Sequence, residues 1–143
     1  MSDFLRLRAA GTAALVCGAL LLAACAGRGG PDERMARRYD FVQRFAGPPV
    51  DSFHFWDMKR FEVLGDYDLV VWTTLDDAYL IRVERPCTGL VFTKAVGLSS
   101  TQRRVHQRFD TVNFDRQRCG IEEIRTVDGR ALRQAQMAGE FDW

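Results

Sequence analysis

From Ser52 to Val83 apolar and polar residues alternate with period two, broken by tight turns. Side chains of a strand point to opposite faces in turn, so this pattern fits half-buried strands and not helices. Phe53 and Phe55 alternate with His54 and Trp56, and Phe61 and Val63 with Arg60 and Glu62. Gly65-Asp66-Tyr67-Asp68 and Asp76-Asp77 supply turn residues on either side of Leu69-Val70-Val71-Trp72. That segment is apolar in both phases, as a central strand is. Tyr79, Ile81 and Val83 resume the alternation, so the stretch predicts an antiparallel meander.

After the break at Arg85-Pro86-Cys87-Thr88-Gly89, three further strands are predicted: a short one in Ala95–Ser99, a clearer one over Asp110–Phe114, and a last one over Cys119–Val127. Ile121 and Ile124 are three apart, which breaks the alternation and predicts a bulge near Glu122-Glu123. Upstream, Met35, Tyr39, Val42 and Phe45 recur at helical spacing. Pro31-Asp32 suits a helix start and Gly47-Pro48-Pro49 an end, giving a helical segment within 32–49. The fold class expected is mainly β, a small antiparallel barrel or sandwich of about five to seven strands spanning 50–128, with an N-terminal amphipathic helix. The tail 129–143 has room for a short helix from Ala131 to Met137.

The N-terminus carries an address. Arg6 and Arg8 precede an uncharged apolar run from Ala9 to Ala24. The run is shorter than the about 20 residues that a bilayer-spanning helix needs, and Gly27-Arg28-Gly29-Gly30 closes it. A positive start, a short apolar stretch and small residues before a cut make a secretory signal. Leu22-Ala23-Ala24-Cys25 resembles a bacterial lipobox, whereas Val16 before Cys17 is too bulky for one. The resemblance implies cleavage of 1–24, a lipid on Cys25, and a domain anchored to a membrane. A residue other than Asp after the cysteine, here Ala26, directs the expectation to the outer membrane, facing the periplasm. Residues 25–31 form a tether whose six residues past Cys25 reach at most about 20 Å.

That address reorganises the composition. Loss of Arg6, Arg8 and Asp3 from 20 basic and 19 acidic residues leaves the charges balanced. A nucleic-acid partner, which calls for a basic excess, is therefore not expected. Cys87 and Cys119 are the cysteines left over. In an exported chain they read as one disulfide. A metal or redox pair is the rival, weakened by the lack of a C-x-x-C motif and of clustered histidines. The residues imply no metal and no cofactor.

The segments Phe61-Glu62-Val63-Leu64, Asp68–Trp72, Tyr79-Leu80-Ile81, Arg85-Pro86-Cys87-Thr88-Gly89-Leu90, Asp110-Thr111-Val112 and Arg118–Ile124 together resemble a family of small proteobacterial exported proteins of unknown function, many of them lipoproteins. The resemblance runs over about residues 50–127. It implies a shared fold and a Cys87–Cys119 bridge, and it carries no activity.

Few residues point to chemistry. His54 and His106 are the two histidines. Either could join Ser99 or Ser100 and an aspartate in a hydrolytic set, but no nucleophile-elbow motif supports one. Asp66, Asp68, Asp76 and Asp77 crowd two turns, expected at one end of the meander, where turn formation is the better reading than Ca²⁺ binding. Arg103, Arg104, Arg108, Arg116 and Arg118 outnumber Asp110 and Asp115 between residues 101 and 118. They form a candidate patch for an anionic glycolipid or another envelope partner. The aromatics Phe53, Phe55, Trp56, Phe61 and Trp72 read as core. The function expected is non-enzymatic envelope binding or assembly, with a small hydrolase using His54 or His106 as the alternative.

Overall fold

The computed structural model describes residues 30–141. The signal segment 1–24, Cys17, Cys25 and the tether up to residue 29 lie outside the described residues. Helix α1 spans Pro31–Gln43. Strands β1 (Ala46–Pro49), β2 (Ser52–His54), β3 (Arg60–Val63), β4 (Asp68–Trp72) and β5 (Asp77–Val83) follow. A 3-10 turn at Leu90–Phe92 leads to β6 (Gly97–Leu98), β7 (Arg104–His106), β8 (Thr111–Phe114), β9 (Gln117–Asp128) and helix α2 (Gly129–Met137).

The fold is mainly β, and its main sheet is a curled antiparallel half-barrel rather than a closed barrel or a sandwich. Its order is β3-β4-β5-β9-β8-β6, and β1 also pairs with β9. Strand β9 is the spine. One edge pairs with β5 along Ile121–Asp128, while the other takes β8 over Gln117–Gly120 and β1 over Arg125–Val127. β2 and β7 form a separate two-stranded ribbon.

The meander is β3-β4-β5, with Val71 opposite both Phe61 and Tyr79. The bulge falls where the isoleucine spacing places it: Arg82 opposes Glu123 but Val83 opposes Ile121, so Glu122 is the extra residue. The extra residue returns both isoleucines to one face, and both are fully buried.

Three expectations need correction. Helix α1 ends at Gln43, and Gly47-Pro48-Pro49, which was to terminate it, lies within strand β1. Proline lacks the donor for an interior ladder, yet an edge position tolerates it, and β1 is such an edge. Second, β2 does not lead into the meander but pairs with β7. Third, the two aspartate-bearing turns lie at opposite ends of β4, because an antiparallel strand exits at the end away from where it enters. Asp66 precedes β4, and Asp76 follows it.

The sheet buries both faces. Leu69, Val71, Ile81, Val83, Ile121 and Ile124 pack with Phe53 and Val105 of the ribbon, with Leu90, and with Cys87 and Cys119. The two cysteines are disulfide-bonded, Cα atoms 6.0 Å apart. Val70, Trp72, Ala78, Leu80 and Val127 face the other way, against Phe41 and Val42 of α1 and Leu132 and Ala135 of α2. The doubly apolar run in β4 is explained by these two cores. Tyr39 ties α1 to the sheet by accepting from Arg82 Nη2 at 2.6 Å. Arg82 Nε in turn donates to Asp68 at 2.9 Å. At the other end Asp76 receives Arg130 Nη2 and Arg133 Nη2, each at 2.8 Å, which docks α2 on the β4–β5 turn. Gly129 opens α2 so close to that turn that a Cβ would lie 2.5 Å from the Asp76 carbonyl oxygen.

Candidate functional site

The β2–β7 ribbon gathers the most unusual side chains. Its register sets Ser52 against His106, Phe53 against Val105, and His54 against Arg104. Period two then sends Phe53 and Val105 into the core and turns Ser52, His54 and Arg104 outward. Arg104 donates from Nη2 to Ser52 Oγ at 2.8 Å and lies 2.8 Å from His54 Nε2 through Nη1. A guanidinium only donates, so in this contact the imidazole nitrogen can only accept.

Phe55 N donates to Arg103 O at 2.9 Å and carries the ribbon one step further. Thr101 and Arg104 exchange both backbone hydrogen bonds across Gln102 and Arg103. Those two residues are left-handed, at φ 52° and 62°. Side-chain-bearing residues hold this conformation at a cost of roughly 1–2 kcal/mol each. The turn presents Arg103, whose guanidinium carbon sits 4.1 Å from the Trp56 ring centroid. Trp56 is 72% exposed. It is no core residue, contrary to expectation. Its phase shows why: it shares parity with outward-facing His54, and that parity was the available signal. Phe53 and Trp72 are buried, and Phe55 and Phe61 half-buried, as core residues should be.

The five arginines do not make one patch. Arg103 and Arg104 are on the ribbon. Arg108, at φ 68°, sits in the turn between β7 and β8, beside a polar pocket of about 370 Å³ that Asp51, His106 and Phe109 also line. Arg116 and Arg118 belong to the β8–β9 hairpin and border an open depression with Val96 and Gly97. Sequence proximity was misleading because two tight turns separate the groups.

The hydrolytic set is also not assembled. Asp110 is 3% exposed and uses both oxygens. Oδ1 accepts from Ser99 Oγ at 2.7 Å and Oδ2 from the backbone N of His106 at 2.8 Å. Ser99 Oγ accepts in turn from Thr111 N. Acid and hydroxyl therefore contact each other directly with no imidazole between them, and they pin the β7–β8 turn. Ser100 is exposed. Among the described residues no group of three or more His, Cys, Asp or Glu could hold a metal ion. Three of the four turn aspartates are instead engaged by side chains of the domain. Asp77 accepts from Thr74 Oγ1, Asp76 from Arg130 and Arg133, and Asp68 from Arg82. Among the described residues no helix is long and apolar enough to cross a membrane.

A family model described as a family of unknown function, DUF6491, matches residues 8–140. The chain belongs to that family. The match extends well beyond the 50–127 region on which the resemblance rested, and the family's description assigns no activity. No curated protein and no solved structure matches the chain.

Proposed function

We propose that the protein is a lipid-anchored, non-enzymatic domain of the cell envelope that binds a phosphorylated saccharide headgroup, as on an anionic glycolipid, through the tip of the β2–β7 ribbon. Cys25 carries the lipid, and the anchor lies in the outer membrane facing the periplasm. The observation that carries the binding is the exposed Trp56 with Arg103 stacked on it, next to Arg104. An indole face takes the apolar side of a sugar ring, and guanidinium groups take phosphate through paired donors. The left-handed turn at Gln102-Arg103 supports this, since backbone strain persists where the surrounding structure enforces it and concentrates at ligand sites.

The alternative, a small envelope hydrolase using His54 or His106, has less support. Nε2 of His54 is occupied by Arg104, and Asp110 is spent on Ser99 and on the backbone of His106.

The anchored protein in neutral vesicles, titrated with a water-soluble phosphorylated glucosamine disaccharide, tests the reading. Binding should perturb tryptophan fluorescence, weaken as salt rises, and weaken in both Arg103→Ala and Trp56→Ala. Salt-independent binding, or wild-type affinity in both variants, overturns it. Cys25→Ser should prevent acylation; unchanged acylated mass would overturn the anchor.

A further inference from the structure

At the end of β4 away from the ribbon tip lies an apolar groove of about 530 Å³, lined by Pro31, Met35, Tyr39, Leu64, Val91 and Phe92 among others. Its two walls differ in origin. Helix α1 buries Phe41 and Val42 in the second core, so its C-terminal half is committed to the domain. Its first two turns leave Met35 half-buried and Ala36 exposed along the groove. The facing wall is the 3-10 turn, where Leu90 is fully buried while Phe92 is 83% exposed. That turn is not a loose loop. Gly89 opens it at φ 96°, Phe92 N donates back to Gly89 O, and disulfide-bonded Cys87 precedes it.

We infer that this groove is the membrane-facing surface of the domain, seated on the lipid leaflet that holds Cys25, with Phe92 inserted among the acyl chains. The inference rests on the lipid-anchor reading. Two observations select a leaflet as the occupant. Pro31 lines the groove, so the chain leaves the domain there, and Cys25 is six residues upstream, within about 20 Å of contour. The groove must therefore lie close to whatever surface holds the lipid. An exposed aromatic on a rigid turn suits the boundary between headgroups and acyl chains. Charge does not add to this: Arg34 and Lys94 are exposed cations beside the groove, but Asp32 and Asp66 line it.

The geometry also fits the ribbon. Leu64, Gly65 and Asp66 of the groove precede the first residue of β4. Lys59, three residues past Trp56, donates its backbone N–H to Trp72 O at the last residue of β4. With the groove on the leaflet, the ribbon tip lies toward the other end of β4, so the phosphorylated saccharide it binds belongs to a molecule outside that leaflet.

A photoreactive phenylalanine analogue in place of Phe92, in the full-length protein in cell membranes, tests this. The same analogue in place of Leu75 is the control, because Leu75 is equally exposed and sits at the opposite end of β4. Irradiation should capture phospholipid at 92 severalfold more than at 75. Equal capture at both sites, capture of protein at 92, or capture of the chain's own Cys25 acyl group overturns the proposal. Mass analysis of Cys25 reads the anchor separately. Acylation without phospholipid capture overturns the docking and leaves the anchor. Capture without acylation leaves the docking and overturns the anchor. Absence of both overturns both.

Discussion

The two faces of the main sheet solve the same burial problem with different material. One is closed by Phe53 and Val105 of a ribbon whose strands lie far apart in the chain, and a disulfide fixes it. The other is closed by α1 and α2, elements from the two ends of the described chain. A three-residue strand cannot close a core alone, so the ribbon face profits from a covalent tie. The helices bring Phe41 and Val42, and Leu132 and Ala135, and are tied to the sheet by side-chain hydrogen bonds and ion pairs.

Adjacent residues Leu80 and Ile81 point to opposite faces and give the largest test of that comparison. Leu80→Ala and Ile81→Ala should each cost about 2–5 kcal/mol, the usual range for buried aliphatic truncations. The two faces share one backbone, so both variants should still unfold in one transition, seen alike by tryptophan fluorescence and by circular dichroism. Separate midpoints for the two probes would show that the helical face melts on its own.

Next in size is the tie itself. Replacing Cys87 and Cys119 together by serine opens a loop with sequence separation 32 and should lose roughly 3–4 kcal/mol in denaturant unfolding. A loss as small as that of an exposed substitution would mean that the ribbon face is held by packing alone. Asp110→Ala comes third. It strands the Ser99 hydroxyl and the His106 N–H, each group of a kind that costs about 1–3 kcal/mol when left unpaired. An Asp110→Asn variant, which keeps one acceptor, should lose less.

The helical face has a smaller handle. Asp128 caps α2 by accepting from Ala131 N at 2.9 Å, and Asp128→Ala should cost about 1 kcal/mol. Wild-type stability in that variant would show that the Asp76 pairs with Arg130 and Arg133 position the helix without the cap.

What the sequence reveals of this design follows from range. The meander, β8, β9 and the bulge are legible because local alternation encodes which face each residue takes. Ile121 and Ile124 even report the extra residue between them. β1 is hidden by Gly47-Pro48-Pro49, which read as a helix stop, and its pairing rests on a partner some eighty residues later, where Arg125 Nε donates to Gly47 O at 2.9 Å. β7 is hidden because Arg104-Val105-His106 offers one apolar residue and no period. The arginine patch was legible as composition and not as place, since turns at Arg103, Arg108 and Arg116 decide where each guanidinium goes. Trp56 was legible by parity alone. The groove was not, because its walls come from α1 and a 3-10 turn that no alternation marks.

The smallest predicted effect concerns charge on the helical face alone. Glu62 lies on β3 between Val63 and Arg60. Burial raises its pKa above the ordinary glutamate range, against the opposing pull of Arg60 and Arg38. Its Oε2 is buried without a hydrogen-bond partner. A raised folded pKa gives stability that is fully present below the unfolded value and is lost as pH climbs through the folded one. Asp68 moves the same way, since burial outweighs its hydrogen bond from Arg82. Asp76 moves oppositely. The Arg130 hydrogen bond holds its pKa down, so its contribution is present above the ordinary aspartate range and is lost as pH falls below it. Thermal stability should therefore decline at both ends of the interval from acid to neutral, for different reasons. Glu62→Gln should flatten the decline toward neutral pH and leave the acid side unchanged. Asp76→Asn should lower stability at neutral pH and flatten the acid side, because the pairs with Arg130 and Arg133 are gone at every pH. If Glu62→Gln instead flattened the acid side, Arg60 and Arg38 would outweigh burial at β3, and the helical face would be held by that carboxylate rather than strained by it.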